Sequence, residues 1–436
     1  MKSENNLEEL GMRFKIGDIC DINKSSLKKN HNLDFINYLD TGNITEGRVD
    51  EIKKIVLAEE KIPSRAKRIV KENDIIISTV RPNQKHYGII KNPIENLIVS
   101  TGFVVLSPKK EVNADYLYNY LTLPNITEYL QGIAETSTTA YPSITPSVIS
   151  DLEIELPSLV EQKAIANILS SLDEKIELNN QMNETLEEMA QALFKRWFVD
   201  FEFPNKEGQP YKSSGGEMVE SELGMIPKGW TYKKIIDLPL SVTDYVANGS
   251  FASLKANVTI FETIEYALFV RNTDIKDNFK SSKRYVNEHS YNFLSKTKLY
   301  GGEVLISNVG DVGSVYLCPH LDIPMTLGNN MIMINSIGGE DLNLYLYRLF
   351  RSREGQGLIQ SITSGSVQLK FNKTQFRNLS ILIPTKQLLE QYVELQKSIE
   401  NMKFHNIKEN EQLIRYRDTL LPKLMSGEVR VSDFES

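Results

Sequence analysis

Residues 157–203 read PSLVEQKAIANILSSLDEKIELNNQMNETLEEMAQALFKRWFVDFEF. Apolar positions alternate by four and three through Ile165, Leu169, Leu172 and Ile176. Asn179 and Asn183 take the next two places, and Leu186, Ala190, Leu193 and Trp197 follow. A period of 3.5 is the a/d seam of a coiled coil, which keeps one stripe against a partner helix. Glu161, Asp173, Glu174, Glu177, Glu184, Glu187 and Glu188 lie mostly off the seam, so the outer face is acidic. Pro157 suits a helix start, because its missing N–H is an orphan there anyway. The predicted helix from Leu159 to Trp197 is ~58 Å long at ~1.5 Å per residue. A rod of that length in mid-chain needs a partner.

The partner lies 227 residues on. Leu172 recurs as Ile399, Asn179 as Asn406, Asn183 as Asn410, Leu186 as Leu413, Leu193 as Leu420 and Trp197 as Leu424. The globular parts repeat as well. Asp74–Ser78 corresponds to Glu303–Ser307 and Tyr116-Leu117-Tyr118 to Tyr345-Leu346-Tyr347, both at 229. Thr136-Ser137 corresponds to Thr363-Ser364 at 227, and Glu9–Met12 resembles Glu222–Met225. A nearly constant offset through strand, helix and coil indicates duplication. The expected order is a globule over 1–156, a helix over 157–203, a linker over 204–220, a second globule over 221–385, a second helix over 386–425 and a tail over 426–436. The linker is inferred from its Gly, Pro, Ser and charge content. The second seam is the more polar, with Gln396, Lys403 and Arg417 on it. A slip of one position would use Leu395, Met402 and Ile414 instead. Pro422 is expected to break the last turn.

The repeat favours antiparallel pairing of the two helices, because equivalent surfaces then pack isologously. The four asparagines then meet, either as buried pairs that set register or as solvated positions where the coil splays. In the first globule Asp74–Ser78 and Ile98–Leu106 read as strands, Ala114–Leu123 as a helix and Asp151–Leu156 as a final strand. The fold class is α/β or α+β: two mixed globules and two long helices in an antiparallel coiled coil.

With 436 residues and 41% hydrophobic content the chain is globular, and no apolar run approaches the ~18 residues of a membrane span. Cys20 and Cys318 are far apart, which suits a reducing cytoplasm. The net charge of −7 argues against nucleic acid only when taken whole. Residues 151–203 hold 4 basic and 12 acidic residues, whereas 48–91 hold 11 basic and 6 acidic ones. Binding to DNA follows the local field.

Two globules, an LPSLVEQKAIANILSSLDEKIELN…LEEMAQALFKRWFVDF helix between them and a closing LLPKLMSGEVRV resemble the specificity subunit of a type I restriction-modification system. The resemblance covers nearly the whole chain. It implies two target recognition domains, each reading one half of a split, asymmetric DNA site, with the coiled coil setting the gap. It also implies docking of two adenine-methylating modification subunits and of a restriction/translocase subunit. S-adenosylmethionine, ATP and Mg then belong to those partners, with no cofactor or metal on this chain. Pro422 stands where the first copy has Lys195, a departure confined to the distal coil.

The recognition residues of that family vary, so candidates come from side-chain chemistry. Arg81, Asn83, Gln84, Lys85, His86 and Tyr87 form a loop of hydrogen-bonding groups after a buried strand; Arg suits guanine, and Asn or Gln suits adenine. The equivalent segment is Asn308–Tyr316, which includes Ser314, with Gly310 and Gly313 replacing the basic residues and offering backbone N–H groups to phosphate. A second pair of loops carries Ser137, Thr138, Thr139 and Tyr141, and Ser364, Ser366, Gln368 and Lys370. Lys61, Arg65, Lys67 and Arg68 form a basic cluster suited to clamping phosphate; Arg348, Arg351 and Arg353 are counterparts in the second globule. The plainer readings are ordinary turns, a capping segment and solvated charge.

No GxxxxGK[ST] loop is present, no Gly-rich cofactor loop precedes Asn92-Pro93, and the five histidines show no metal spacing. The reading is therefore a non-catalytic DNA-reading scaffold. A coiled-coil adaptor without DNA affinity and a self-contained DNA methyltransferase are the alternatives.

Overall fold

The computed structural model describes residues 12–28, 32–137, 141–277, 279, 282–337, 342–366 and 368–431. The chain divides into two compact units, Met1–Asn179 with Ile407–Ser436, and Asn180–Asn406. The long helices Leu159–Phe194 and Lys386–Met425 each contribute a segment to both units. No helix among the described residues is long and apolar enough to cross a membrane.

In the first unit a four-stranded antiparallel sheet has the order Cys20–Ile22, Phe103–Pro108, Ile75–Ser78, Tyr87–Ile89. A second sheet has the order Lys53–Val56, Phe35–Leu39, Leu97–Ser100, Ala66–Ile69, with one parallel pair in its middle. The apolar run Ile98–Leu106, expected as one strand, is two. It turns at Thr101-Gly102, and its halves enter different sheets. Met12–Lys15 pairs with Glu153–Leu156 and closes the globule at the foot of the first long helix. The helix expected over 114–123 ends at Leu121, and a second begins at Pro124.

The second unit repeats this plan. Its antiparallel sheet has the order Leu240–Asp244, Met331–Ser336, Val304–Ser307, Val315–Leu317. Its other sheet has five strands, again with one parallel pair, Ala267–Val270 with Met325–Leu327. Thr231–Lys234 pairs with Ser380–Ile383, as Met12–Lys15 does with the last strand of the first copy. The stretch 204–220 is largely exposed, yet it is anchored to the second globule at Tyr211 and Met218–Ser221. Phe203 stacks on Tyr211 at 4.5 Å and on Trp230 at 5.3 Å. Met218–Ser221 forms a hairpin with Gly224–Pro227. Burial of the rings outweighs the turn-rich composition.

Within each unit the long helices run antiparallel. In the first, Asp173 meets Arg417 at 2.9 Å and Asn179 Nδ2 donates to Asn410 Oδ1 at 2.8 Å. Ile165, Ala166 and Leu169 share a core with Leu424, and Leu172, Ile176, Leu413 and Leu420 are partly buried. In the second, Asn406 Nδ2 donates to Asn183 Oδ1 at 2.9 Å. Leu186, Ala190 and Trp197 are buried there, and Leu193 and Ile399 are partly buried. The repeat turns the pair Asn179–Asn410 into Asn406–Asn183, so one polar contact is made twice. The second helix keeps the polar register. Gln396 is fully buried, while Leu395, Met402 and Ile414 are 45, 48 and 38% exposed. Pro422 lies inside the helix, which continues to Met425.

Two residues differ from their expected roles. Arg348, a candidate for DNA, has a side chain only 1% exposed. It bonds Glu187 at 2.6 Å, Gln396 at 3.0 Å and Glu400. Glu187, expected on the acidic outer face, is turned inward by Arg348 and also binds Lys403 and Arg351, each at 2.7 Å. Burial alone would raise the Glu187 pKa, but the Arg348 charge and the Lys403 hydrogen bond outweigh it and hold it at about 2.

Both tryptophans of the chain, Trp197 and Trp230, lie in the core of the second unit, so their fluorescence reports that unit. Arg348→Ala removes the buried cation from between two part-buried carboxylates, leaving them to Lys403 and Arg351, and is expected to cost about 3 kcal/mol of the tryptophan-reported unfolding free energy. Because the Glu187 pKa is depressed in the fold, its contribution is present above the ordinary 4.5 and lost as pH falls toward 2. Glu187→Gln should flatten that acid-side loss; an unchanged slope would show that Glu187 does not carry it.

Candidate nucleic-acid interface

The site begins where a fully buried strand leaves the sheet. Ile75–Ser78 is apolar on both faces and buried throughout. The chain emerges at Thr79, whose N–H and Oγ1 both donate to the carbonyl of Gly102, at 2.8 and 3.0 Å. Val80 bridges Ser143, Ile144 N–H donates to Thr79 O at 2.9 Å, and Arg81 N–H donates to Pro142 O at 2.9 Å. These backbone bonds zip the loop after the strand to the loop before the final strand. The two candidate loops of the first globule are therefore one surface.

A short 3-10 turn, Pro82–Gln84, sits at the tip between Arg81 and Lys85, both left-handed with φ of 49° and 56°. Left-handed backbone is costly for residues with a Cβ and clusters at functional segments. The Arg81 guanidinium lies 4.8 Å from the centroid of the Tyr141 ring, and Tyr141 is 59% exposed. Gln131 accepts from the Asn83 N–H at 3.2 Å. The next three side chains have partners within the globule, Lys85 in an ion pair at the surface and His86 and Tyr87 half-buried. Lys85 binds Glu46 at 2.6 Å. His86 Nδ1 donates to Ile44 O at 2.6 Å. Tyr87 packs edge-on against Tyr118, and burial pushes its phenol up to about 12. Arg81, Asn83 and Gln84 remain on the surface side.

The basic cluster joins the same network. Arg65 O accepts from Thr101 N–H at 2.8 Å, and Thr101-Gly102 is the turn that holds Thr79. Lys61, Arg65 and Lys67 are exposed. Arg68 is half-buried; its Nε is buried without a partner among the described residues, and burial lowers its pKa. Thr138 and Thr139 lie outside the described residues, and Ser137 follows the helix Pro124–Glu135.

The second globule repeats the four backbone contacts of this zip. Asn308 N–H donates to Asn330 O at 3.0 Å, and Phe371 N–H donates to Asn308 O at 3.1 Å. Val309 bridges Lys370, and Gly310 N–H donates to Leu369 O at 3.0 Å. Ser364 and Lys370 exchange both backbone bonds at 2.9 Å, while Ser366 and Gln368 are exposed beyond them. Gly313 N–H donates to Ser307 O, so the N–H groups of both glycines are used inside the loop and not offered to phosphate. Arg351, tied to Glu187 and Tyr347, shares a pocket wall with Ser314 and Gln356.

One cluster went unread in the sequence. Asp311 Oδ2 accepts from Ser314 Oγ at 2.9 Å, Asn272 Nδ2 at 3.3 Å and Lys276 Nζ at 3.4 Å. The Ser314 hydrogen bond, with the others, holds this carboxyl below its ordinary range. Asn272 and Lys276 are more than thirty residues away in sequence, so no local pattern announces them.

A family model for the type I restriction modification DNA specificity domain matches residues 9–188 and 243–415. The chain is 27% identical over 424 residues to the type I restriction enzyme HindI specificity subunit of Haemophilus influenzae, covering 84% of this chain and 89% of that one. It is 28% identical over 378 residues to the MjaIX specificity subunit of Methanocaldococcus jannaschii, covering 86% and 82%. Among solved structures, the type I restriction-modification system S subunit from M. genitalium matches with a TM-score of 0.55 at 16% identity, covering 97% of this chain and 98% of that one. At that identity the likeness speaks for the fold.

Proposed function

Because the chain belongs to the family of type I restriction modification DNA specificity domains, we propose that each zipped loop pair reads one half of a split DNA site. The observation that supports this most is the duplication of the surface itself. Four backbone contacts after a buried strand recur at offsets of 227 to 229. The side chains they carry differ between the copies, as an asymmetric site requires. Base edges are read by such side chains, while phosphate contacts set position. We assign the second task to Lys61, Arg65 and Lys67, which are exposed and joined to the first loop through Thr101.

Two modification subunits and a restriction/translocase subunit are proposed as partners, in the cytoplasm. Leu178, Met182 and Met189 on the first long helix are exposed, as are Met402 and Ile407 on the second. Off-seam apolar side chains of this kind suit protein docking better than DNA. Methyl transfer and DNA translocation, with S-adenosylmethionine, ATP and Mg, are assigned to those partners, and this chain acts as the reader.

The purified chain with its modification subunit is expected to shift a duplex library in gel-shift assays, with affinity falling as salt rises. No shift of any duplex would favour an adaptor without DNA affinity; methyl transfer by the chain alone would favour an enzyme. Replacing Lys61, Arg65 and Lys67 with Gln should flatten the log-affinity against log-salt slope by ~0.9 per lost phosphate contact, leaving the preferred sequence unchanged. Inserting one heptad into each long helix adds ~10 Å of helix and should widen the recognised gap by about three base pairs. An unchanged gap would count against helix length as its determinant.

A further inference from the structure

Resting on that reading, we propose that the base-reading position of each domain is the pair of residues facing each other where its two loops are zipped. In the first domain the pair is Arg81 and Tyr141, which takes a guanine. In the second it is Gly310 and Gln368, which takes an adenine.

The repeat offsets of 229 and 227 place Gly310 on Arg81 and Gln368 on Tyr141. The structure supports that equivalence twice over. Both Arg81 and Gly310 are left-handed, with φ of 49° and 79°. Both donate their N–H across the zip, to Pro142 O and Leu369 O. The backbone at the zip itself therefore matches in the two copies, and the side chains it carries differ. Glycine adopts this conformation freely, whereas arginine is strained in it. Lys85 is left-handed in the same loop and is used in an ion pair with Glu46, whereas Arg81 keeps the conformation with its guanidinium over a ring.

Arg81 is prepared for a planar target. Its guanidinium lies over the Tyr141 ring, which limits its orientations. Among the described residues it has no carboxylate partner, while Lys85 four positions on is paired with Glu46. A guanidinium fork matches the O6 and N7 acceptors of guanine. In the second domain the large residue is on the other loop. A Cβ on Gly310 would lie 3.9 Å from Gln368 Nε2, an ordinary contact distance, so the two positions face each other as Arg81 and Tyr141 do. Gln368 is exposed, and its side chain has no partner among the described residues. An amide offers the acceptor and donor that match adenine N6 and N7. Of the other long side chains, His86, Tyr87 and Arg348 are tied inside the fold, and Lys370, exposed two residues from Gln368, is a point charge that suits phosphate rather than a base edge. Asn83 and Gln84 ride on the short turn without a ring to orient them.

The test uses the full chain co-expressed with its modification subunit in cells carrying a randomised plasmid library, with modified adenines mapped by sequencing. Arg81→Ala is expected to relax one guanine position, with discrimination falling roughly ten- to hundred-fold, while the other half-site and the gap stay unchanged. Gln368→Ala is expected to relax one adenine position in the other half only. Arg81→Gln should turn the guanine preference toward adenine and covers the case in which the alanine variant fails to fold. A uniform loss of modification with the motif intact would mark a phosphate or structural role and overturn the proposal. So would relaxation in both halves, or loss of all modification in both Arg81 variants. A wild-type chain that yields no split motif would overturn the reading beneath it as well.

Discussion

Everything in this chain depends on two long helices meeting antiparallel in one register. Each unit contains a globule, a segment of the first helix and a segment of the second. Apolar seam residues supply most of the burial, but period alone leaves direction and register open. Polar contacts decide them. Asn179 with Asn410 in one unit and Asn183 with Asn406 in the other are a contact and its repeat image. Asparagine pairs in a seam cost stability and exclude registers that would strand them. In the second unit Arg348 adds a buried charge network with Glu187, Glu400 and Gln396, which ties the globule's own helix Asn343–Arg351 to both long segments.

The globules show what duplication preserves and what it releases. Sheet order, the single parallel pair, the closing strand pair and the four backbone contacts of the loop zip recur. These are backbone features, largely indifferent to side-chain identity. The side chains displayed at the zip change from arginine and tyrosine to glycine and glutamine. A scaffold held by main-chain bonds can therefore present different chemistry from the same place.

Much of this was legible in the sequence because periodicity carries it. The seam of the first helix, the repeat offsets and the buried strands Ile75–Ser78 and Val304–Ser307 all follow from local pattern. The parts that were not legible depend on contacts between distant residues. Leu395, Met402 and Ile414 offered an apolar seam as good as the real one, and only partners such as Asn183 and Arg348 reject it. Glu187 looked like one more acid on an acidic face until Arg348, 161 residues away, turned it inward. Residues 204–220 have the composition of a linker, yet Tyr211 follows Phe203 and Trp230 into a stack. In the first loop, His86 and Tyr87 carry the right chemistry for DNA and point the wrong way. The zip joining the loops is made of backbone and leaves no side-chain signature.

If each globule reads its own half of one split site on a shared frame, replacing one globule changes one half alone. Exchanging residues 12–156 for the first globule of a relative of different specificity, then mapping modified adenines, tests this most directly. The expected motif has one new half, with the other half and the gap retained. A motif in which both halves change, or one in which neither does, would contradict it.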